Sequence, residues 1–493
     1  MVKKNISDFR GTLAYLKDEG EVLTVEKEVD PIYEVSGIMK AFDGGIGLHF
    51  TNIKGYPNNS IIGNIFSRRE RIAKIFGVED PKKLKLKYLE AVKNHIKPIL
   101  VENPPCQENI VTKDIDMQKM LPLPKITEED GGRMLGGGNT LIAGDNKGSH
   151  LSFNRANFRG KDWGSYSINI TTHVEYHALE ARKTKGKLPI TNNICASPAI
   201  WAAAGGGIIP LTMPPGSDEL AIAGGIQGSP IEICKAKTID TYALANAEWV
   251  IEGYIDTSQV VYETDEAERL GKINQGNFFP EYTGYMGKAY KTYKFQVTGV
   301  TYRNNPIFFA PLAHSIEGNN ITSILREASF YDILNRTVPG LVIDVNILDA
   351  LKGFGGLVIQ VHKRRRRDEG YQRNLINTAF ASSFGLRMVV VVDEDVDIYN
   401  ADDVMWAIST RVDPTRDIIV HERIKGSANF PTEKTEEGEG EGEGMGSAMG
   451  FDATIPYWLK SRFAVGKHPK VDLSRWFTPE EISHARSLQS EFG

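Results

Sequence analysis

The chain of 493 residues carries a formal net charge of −5, with 41% hydrophobic and 25% charged residues. This composition is ordinary for a globular protein, and the length suffices for two to four domains with a substantial core. The small charge gives no basis for nucleic acid or an anionic membrane as the main partner. Three widely spaced cysteines form neither a disulfide framework nor a zinc site. Without an apolar leader or a membrane-length apolar run, a cytoplasmic protein is expected.

The first hundred residues alternate between helical and strand patterns. Residues 7–20 and 30–42 have helical periodicity, and the segment VLTVEKEV at 22–29 between them is typical of a strand. A proline-rich join, ENPPC at 102–106, then marks a boundary. We therefore predict an N-terminal α/β domain over residues 1–115.

Residues 140–312 have few helical patterns and many short strand-like segments, such as SYSINITT, SPIEICKA, WVIEGYI and KFQVTGVTYR. Many short strands with Gly and Pro turns favour a barrel or a sandwich. We predict that this middle domain spans residues 116–315.

The third region returns to helices and strands in β-α-β-α-β order. Its strand-like segments are LVIDVNI, LVIQVHK, LRMVVVV and RDIIVHE. That order predicts a mostly parallel sheet, in a domain over 316–455. The acidic low-complexity segment KTEEGEGEGEGMGSAMG is predicted to be a flexible loop or linker. Residues 456–493 form a tail whose helix begins with Thr478 as cap and Pro479 at the first position.

The stretch GSHLSFNRANF at 148–158 alternates like a strand. Leu151 and Phe153 point to one face, and His150 and Ser152 point to the other. Arg155 shares the parity of the apolar residues, and a buried arginine is costly unless an anion meets it. The pattern therefore raises the question of which anion Arg155 binds.

Two further segments carry candidate metal ligands. His173 lies in INITTHVEYH, and Glu219 lies in the loop MPPGSDELAIAGG. Together with His150, two imidazoles and a carboxylate suit a divalent cation such as manganese. Three such residues also occur by chance in a chain of this length, and His173 is equally compatible with a hydrogen-bonded core histidine.

The segment GNFFPEYTGY at 276–285 places Glu281 among Phe278, Phe279, Tyr282 and Tyr285. A carboxyl group in an aromatic setting tends to have a raised pKa and can donate a proton near neutral pH. The same sequence is equally compatible with a glutamate in an exposed loop.

Together these residues suggest one kind of chemistry. A decarboxylase with a phosphorylated cofactor needs an arginine that binds the substrate carboxylate and an acid that delivers a proton. It also needs a metal ion that binds the cofactor phosphate. Loss of CO2 from an unsaturated carbon leaves a carbanion that no side chain stabilises, so a cofactor has to provide the electron sink.

The ordered set of motifs resembles the UbiD family of reversible decarboxylases, which use prenylated FMN. The matching stretches are SHLSFNRANF, ITTHVEYH, MPPGSDELAIAGGIQGSPIEI, NFFPEYTGYMG, VTGVTYRNNPI and VVVDEDVDIYNADDVMWAISTR. They follow family order from about residue 7 to 465 and are most similar to the branch that acts on hydroxybenzoates such as protocatechuate and gallate. The resemblance implies an N-terminal α/β domain, a split β-barrel of the flavin-reductase type that binds the cofactor, and a C-terminal α/β domain that oligomerises.

The resemblance also implies a set of cofactor-binding residues. His150, His173 and Glu219 match the ligands of a divalent ion, manganese or magnesium, that binds the cofactor phosphate. Ser152 matches the stretch against the flavin, and Met213 matches the loop that helps bind potassium or sodium. The family usually has asparagine as its first metal ligand, and His150 is a competent replacement.

The implied catalytic residues are Arg155, which meets the substrate carboxylate beside the flavin, and Glu281, which donates the proton. A second glutamate that the family often has five residues earlier is replaced by Gly276. Asn319 falls near the position of a histidine found in phenol-acting relatives, which argues against a phenolic substrate.

The leading hypothesis is an enzyme that reversibly decarboxylates an aromatic or heteroaromatic α,β-unsaturated acid. Its implied partners are the acid, CO2, a flavin prenyltransferase that supplies the cofactor, and further copies of the chain in a dimer or hexamer. One alternative is a carboxylase, or a subunit of a carboxylase complex, acting on an unactivated or CoA-linked aromatic. Another is a non-catalytic oligomerising paralogue.

Overall fold

The computed structural model describes residues 4–143, 148–168, 172–205, 212, 216–383, 385–427, 429–433, 445–466 and 468–489. The N-terminal region contains α1 (Phe9–Asp18), β1 (Val22–Val25), α2 (Glu34–Ala41), β2 (Gly47–Phe50), β3 (Ser60–Gly63), α3 (Arg69–Phe76), α4 (Leu84–Lys93), β4 (Ile99–Leu100), β5 (Asn109–Val111) and α5 (Met117–Met120). Helix α1 buries Phe9, Leu13 and Leu16, whose spacing places them on one face. The predicted mixture of helices and strands is confirmed here.

The middle region is rich in strands, as the sequence predicts. Its elements are β6 (Met134–Leu135), β7 (Gly138–Ala143), β8 (Ser149–Phe153), β9 (Ala156–Phe158), β10 (Trp163–Tyr166), α6 (His173–Thr184), β11 (Lys187–Ile194), α7 (Pro198–Ala204), α8 (Glu219–Gln227), β12 (Glu232–Lys235), β13 (Tyr242–Leu244), β14 (Trp249–Tyr262), α9 (Asp265–Leu270), β15 (Asn277–Pro280), β16 (Met286–Lys288), β17 (Lys291–Tyr302) and β18 (Ile307–Phe309).

The main sheet of this region has nine strands in the order β6-β9-β10-β17-β14-β11-β7-β8, with β5 added beside β17. Within the described residues its two end strands, β6 and β8, do not pair, so no closed barrel forms. The long central pair β14–β17 has register shifts beside Gly253 and after Asp256. A Cβ at Gly253 would lie 2.2 Å from the Gln296 carbonyl oxygen, so the close approach of the strands there requires glycine.

In the structure, the N-terminal and middle regions that were predicted from the sequence each contribute strands to sheets of the other. Strand β18 pairs in parallel with β3 of the N-terminal sheet, and β5 pairs with β17 of the main sheet. Strand β4 likewise pairs with β12. These exchanges attach the N-terminal region firmly to the sheet that carries the candidate site.

The C-terminal region contains α10 (Ile316–Thr337), β19 (Val342–Asn346), β20 (Gly356–Val361), α11 (Tyr371–Ser382), β21 (Met388–Asp393), α12 (Ala401–Arg411), β22 (Ile418–Lys425), β23 (Met445–Ala453) and α13 (Pro479–Gln489). Its sheet has the order β19-β20-β21-β23-β22. Strands β20, β21 and β23 are parallel, whereas the edge strands β19 and β22 are antiparallel to their neighbours. The sheet is therefore mixed, with a parallel centre.

The prediction of a flexible linker over 434–450 is wrong at its C-terminal end. Residues 445–450 begin β23, which lies between β21 and β22 in the sheet. Small residues suit this place because α11 packs directly on the strand. A Cβ at Gly450 would lie 2.3 Å from Cγ2 of Ile376. The glycine at position 450 thus allows close helix–sheet packing, while residues 434–444 lie outside the described part of the chain.

Helix α10 connects the C-terminal region to the N-terminal one through buried ion pairs and hydrogen bonds. Glu317 accepts the backbone N–H groups of Asn64 at 2.9 Å and Phe66 at 2.8 Å. Glu327 pairs with Arg69 at 2.6 Å. Such buried charges need close partners to offset their desolvation, so this interface has a specific geometry.

The tail helix α13 begins as the sequence predicts. Glu481 donates its N–H to the Thr478 hydroxyl at 3.2 Å, and its carboxylate accepts the Thr478 N–H at 2.8 Å. Large apolar side chains of the tail face solvent, among them Trp458, Trp476 and Phe477. Among the described helices, none combines the length and the hydropathy that a bilayer crossing requires.

Candidate active site and metal centre

Strand β8 presents two of the predicted site residues on one face. His150 Nε2 lies 3.0 Å from the Ser152 hydroxyl, which donates to Asn154 Oδ1 at 2.6 Å. Asn154 also accepts the Thr140 hydroxyl of β7 at 2.8 Å. The alternation read from the sequence therefore holds, and hydrogen bonds to the neighbouring strand set the orientation of this face.

The other two candidate ligands are each the first residue of a helix. His173 begins α6 after the cap Thr172, and Glu219 begins α8 after the cap Asp218. A helix N-terminus favours a carboxylate, and the Glu219 carboxylate also accepts the Leu151 N–H of β8 at 2.5 Å. Helix capping and strand β8 together orient this glutamate.

His150, His173 and Glu219 form a buried donor cluster whose ligand atoms lie within 4.8 Å of one another. Nδ1 of His150 is 2.8 Å from one oxygen of Glu219, and Nδ1 of His173 is 3.1 Å from the other. Burial alone would raise the pKa of Glu219, but His150, His173 and the Leu151 N–H lower it to about 2. Glu219 is thus ionised.

Two ring nitrogens of the donor cluster are buried without a hydrogen-bond partner in the described structure. They are His150 Nδ1, whose contact with Glu219 has poor hydrogen-bond geometry, and His173 Nε2. Buried polar atoms without partners are rare in native proteins and call for an explanation. An ionised carboxylate and two imidazoles that converge in a buried place fit a divalent transition-metal ion.

Arg155, between β8 and β9, forms an ion pair with Glu281, which follows β15. The two residues are 126 positions apart in sequence. Burial disfavours the charged guanidinium, but Glu281 and then Glu263 raise the pKa of Arg155 above its ordinary value. In this structure the anion that meets Arg155 is therefore a carboxylate of the protein itself.

The predicted aromatic setting of Glu281 is found only in part. The guanidinium carbon of Arg155 lies 5.0 Å from the Phe278 ring centre and 5.8 Å from that of Phe279. Tyr282 packs instead on Phe354, with ring centres 5.1 Å apart, and Tyr285 is exposed. The two phenylalanines cover the guanidinium on one side, while 27% of the Arg155 side chain stays exposed.

A glycine makes room for the Glu281 carboxyl group. A Cβ at Gly287 would lie 2.8 Å from Glu281 Oε1 and 3.0 Å from the Phe279 carbonyl oxygen. Strands β15 and β16 form the small hairpin that brings these residues together. Gly287, the last residue of the motif NFFPEYTGYMG, therefore leaves room for the Glu281 carboxyl group to point toward Arg155.

The structure links the donor cluster to the ion pair through residues that the sequence did not single out. Asn154 hydrogen-bonds Ser152 on one side, and its amide donates to the Ser167 carbonyl at 3.1 Å. Ser167 in turn donates its N–H to the Arg155 carbonyl oxygen at 2.9 Å and its hydroxyl to Glu263 at 2.5 Å. No local sequence pattern marks Ser167 or Glu263, and Met213 lies outside the described residues.

Comparison with known families accounts for nearly the whole chain. Residues 13–86, 99–314 and 319–453 match the N-terminal, Rift-related and C-terminal domains of 3-octaprenyl-4-hydroxybenzoate carboxy-lyase, UbiD. The gallate decarboxylase of Lactiplantibacillus plantarum is 30% identical over 490 residues, which cover 94% of this chain and 97% of that protein.

Solved structures agree with this match. The apo 3,4-dihydroxybenzoic acid decarboxylase from Enterobacter cloacae superposes with a TM-score of 0.85 at 29% identity and covers 96% of this chain and 99% of its own. An evolved dimeric form of the UbiD-class enzyme HmfF from Pelotomaculum thermopropionicum, in complex with prFMN, gives 0.81 at 28% identity, covering 96% and 100%. Fold, site and relatives define a lyase that acts on carboxylic acids. The chain belongs to the UbiD family of carboxy-lyases.

Proposed function

We propose that the protein catalyses the reversible, non-oxidative decarboxylation of an aromatic or heteroaromatic acid with prenylated FMN. The observation that carries this proposal is the Arg155–Glu281 ion pair, which strand β8 and Asn154 connect to the donor cluster of His150, His173 and Glu219. Relatives with gallate and 3,4-dihydroxybenzoic acid decarboxylase activity, and the prFMN complex of HmfF, support the substrate class and the cofactor.

The residues present fit the cofactor. His150, His173 and Glu219 would hold a divalent ion, manganese or magnesium, whose positive charge would bind a phosphate. Ser152 would face the flavin, and Met213 would contribute to a potassium or sodium site. Bound prenylated FMN supplies the electron sink for the carbanion that remains when CO2 leaves.

The chain's own contribution is binding and proton transfer. A substrate carboxylate competes with Glu281 for the guanidinium of Arg155, and this exchange frees Glu281 to take up a proton. When the bond between the ring carbon and the carboxylate breaks, CO2 departs, and Glu281 gives its proton to that carbon. In the carboxylation direction the same carboxylate removes the proton. Phe278 and Phe279 lie beside the guanidinium and limit the positions that it can take.

Two alternatives differ from this proposal in ways that experiments resolve. A carboxylase of an unactivated or CoA-linked aromatic would use the same residues in the opposite direction and would accept substrate only with CO2 present. A non-catalytic paralogue would keep the fold and lose the site. The converging donor cluster and the Arg155–Glu281 pair favour an active enzyme.

Substitution of any one cluster ligand is expected to leave the protein folded but largely free of flavin, with occupancy at least about tenfold lower. The reason is that a phosphate in a partly buried site needs the charge of the metal. The test compares His150→Ala, His173→Ala and Glu219→Gln after coexpression with a flavin prenyltransferase, using flavin absorbance, metal analysis and melting temperature. Lys183→Ala, in the last turn of α6 and exposed to solvent, is the control. Full flavin occupancy in all three variants would contradict the metal site.

We further propose a division into domains over residues 1–115, 116–315, 316–455 and 456–493. The middle one would be a split β-barrel that binds the flavin, and the third would carry the oligomer contacts. The tail would dock on a neighbouring copy in a dimer or hexamer, because it exposes the large apolar side chains of Trp458, Trp476 and Phe477. Strands β4 and β5, which precede residue 115, pair with β12 and β17, so the division at that residue follows chain order and not sheet membership.

Removal of the residues after Gly466 is expected to reduce the mass of the assembly, since a stable oligomer contact buries a large apolar area. The truncation keeps Tyr457, whose N–H binds Glu369, and therefore leaves the C-terminal sheet intact. Light scattering would compare this variant with Trp476→Ser/Phe477→Ser and with a control at another exposed residue, Leu23→Ser. A monomer in both the full-length and the truncated protein would rule out the oligomer.

A further inference from the structure

Two of the three cysteines, far apart in sequence, meet inside the folded chain. Cys106 lies in a short 3-10 helix (Pro105–Gln107) at the proline-rich join, and Cys234 lies in β12. Their sulfur atoms are 3.7 Å apart although 128 positions separate them in sequence, and both side chains are buried. Both are free thiols in this structure. The fold therefore creates a dithiol that the wide spacing of the cysteines does not predict.

The backbone holds both members of this dithiol in place. The Cys106 N–H donates to the carbonyl of Ala245, which directly follows β13, at 3.0 Å. Cys234 lies opposite Ala243 in the pairing of β12 with β13, and β4 pairs with the other edge of β12. A disulfide bond is about 2.0 Å long, so closing it requires the two sulfur atoms to approach by roughly 1.7 Å. The pair is thus held close to bonding distance.

The two thiols of the pair differ in their ionisation. A hydrogen bond from the Cys106 thiol lowers the pKa of Cys234, although burial and the carboxylate of Glu252 oppose this effect. The Gln107 amide donates to the Cys234 sulfur at 3.5 Å and to the Lys235 carbonyl at 2.8 Å. Because Gln107 is itself partly exposed, the Cys234 sulfur lies directly beneath a side chain that reaches the surface. A thiolate stabilised close to the surface is the form of cysteine that reacts with oxidants.

The dithiol joins two segments that meet beside the candidate metal centre. Helix α8 begins at Glu219, one of the three candidate ligands, and leads through a short loop into β12, which contains Cys234. The segment before Cys106 runs along this strand, where the Val101 N–H donates to the Ile233 carbonyl at 2.9 Å. A bond between the two sulfur atoms therefore fastens the proline-rich join to the strand that follows α8.

We propose that Cys106 and Cys234 form a redox-sensitive latch, a dithiol that a small peroxide such as hydrogen peroxide converts to a disulfide within the folded protein. First, the Cys234 thiolate attacks one peroxide oxygen, the O–O bond breaks and hydroxide leaves, which gives a sulfenic acid. The Cys106 sulfur then attacks the sulfur of Cys234, and its proton leaves with the sulfenic hydroxyl group as water. Overall, two thiols are oxidised to one disulfide, and the peroxide is reduced to two molecules of water.

The test uses the full-length wild-type protein, reduced and then exposed to hydrogen peroxide. Titration of thiols after denaturation should fall from three groups to one, and dithiothreitol should restore all three. A digest without reductant should contain the peptides of Cys106 and Cys234 joined. The oxidised protein should melt at a higher temperature, because the bond closes a long loop of the unfolded chain. Absence of the joined peptide from the treated protein, or a lower melting temperature once the bond has formed, would overturn the latch.

Single variants identify the attacking thiol. In Cys106→Ser the serine hydroxyl can still donate to the Cys234 sulfur, so oxidation should stop at the sulfenic acid, which dimedone traps. This adduct should form about 10-fold faster than the adduct of Cys106 in Cys234→Ser, since a lower pKa supplies more thiolate. The control is Cys195→Ser, at the buried thiol directly after β11, in which the disulfide should form as in the wild type. Equal adduct rates in the two variants, or loss of the disulfide in the control, would contradict the proposed steps.

Discussion

Replacement of Glu281 by Gln is expected to reduce turnover by about 100- to 10,000-fold, which is the usual contribution of general acid catalysis. Glutamine preserves the size of the side chain and can still accept from Arg155, so flavin content and melting temperature should stay close to those of the wild type. It cannot give up a proton to carbon. The defect should therefore lie in the proton-transfer step.

Two measurements locate that defect. Decarboxylation is followed by CO2 release, and proton transfer is followed by incorporation of solvent deuterium into substrate or product. The control is Glu268→Gln, a nearby exposed glutamate that pairs with Arg159. Wild-type rates of both reactions in Glu281→Gln would show that the acid lies elsewhere and that Glu281 is an ordinary loop residue.

For Arg155→Lys the expected loss is about 100-fold in kcat/KM. A guanidinium binds a carboxylate through two parallel hydrogen bonds, whereas an ammonium offers a point charge without that fork. Small misplacement of a reacting group costs about this factor. The positive charge is kept, so Glu281 retains a partner and the fold should be as stable as before.

The matched control for Arg155 is Arg159→Lys. Arg159 lies four residues further along, pairs with Asp265 at the exposed end of α9, and does not contact Glu281. Steady-state kinetics and benzoate affinity of the two variants separate a loss of geometry from a general effect of arginine replacement. Equal kcat/KM values for Arg155→Lys and the wild type would remove Arg155 from the site.

Residue types and local periodicity allowed much of the site to be predicted. The alternation in GSHLSFNRANF placed His150 and Ser152 on one face of a strand, as the structure has them. The capping pattern at Thr478 correctly predicted the start of the tail helix. These features depend on contacts between residues a few positions apart, so the local sequence contains the information they require.

Other features depend on contacts that no local pattern encodes. Residues 445–450, the end of the low-complexity segment, belong to a strand that lies between β21 and β22, and α11 packs on it at Gly450. The β-α-β-α-β order predicts a mostly parallel sheet, and the edge strands β19 and β22 are nevertheless antiparallel to their neighbours. In both cases tertiary packing overrides propensity.

Residue types in the sequence supply the chemical groups of the candidate site: two imidazoles and a carboxylate that suit a metal ion, and the arginine and glutamate to which we assign the substrate chemistry. How these groups meet depends on the folded chain. It brings Glu281 to Arg155 across 126 positions and places Glu263 on Ser167, which binds the Arg155 backbone. The physical reason is that charge interactions depend on distance in space and on burial, and strand register sets both after the chain has folded.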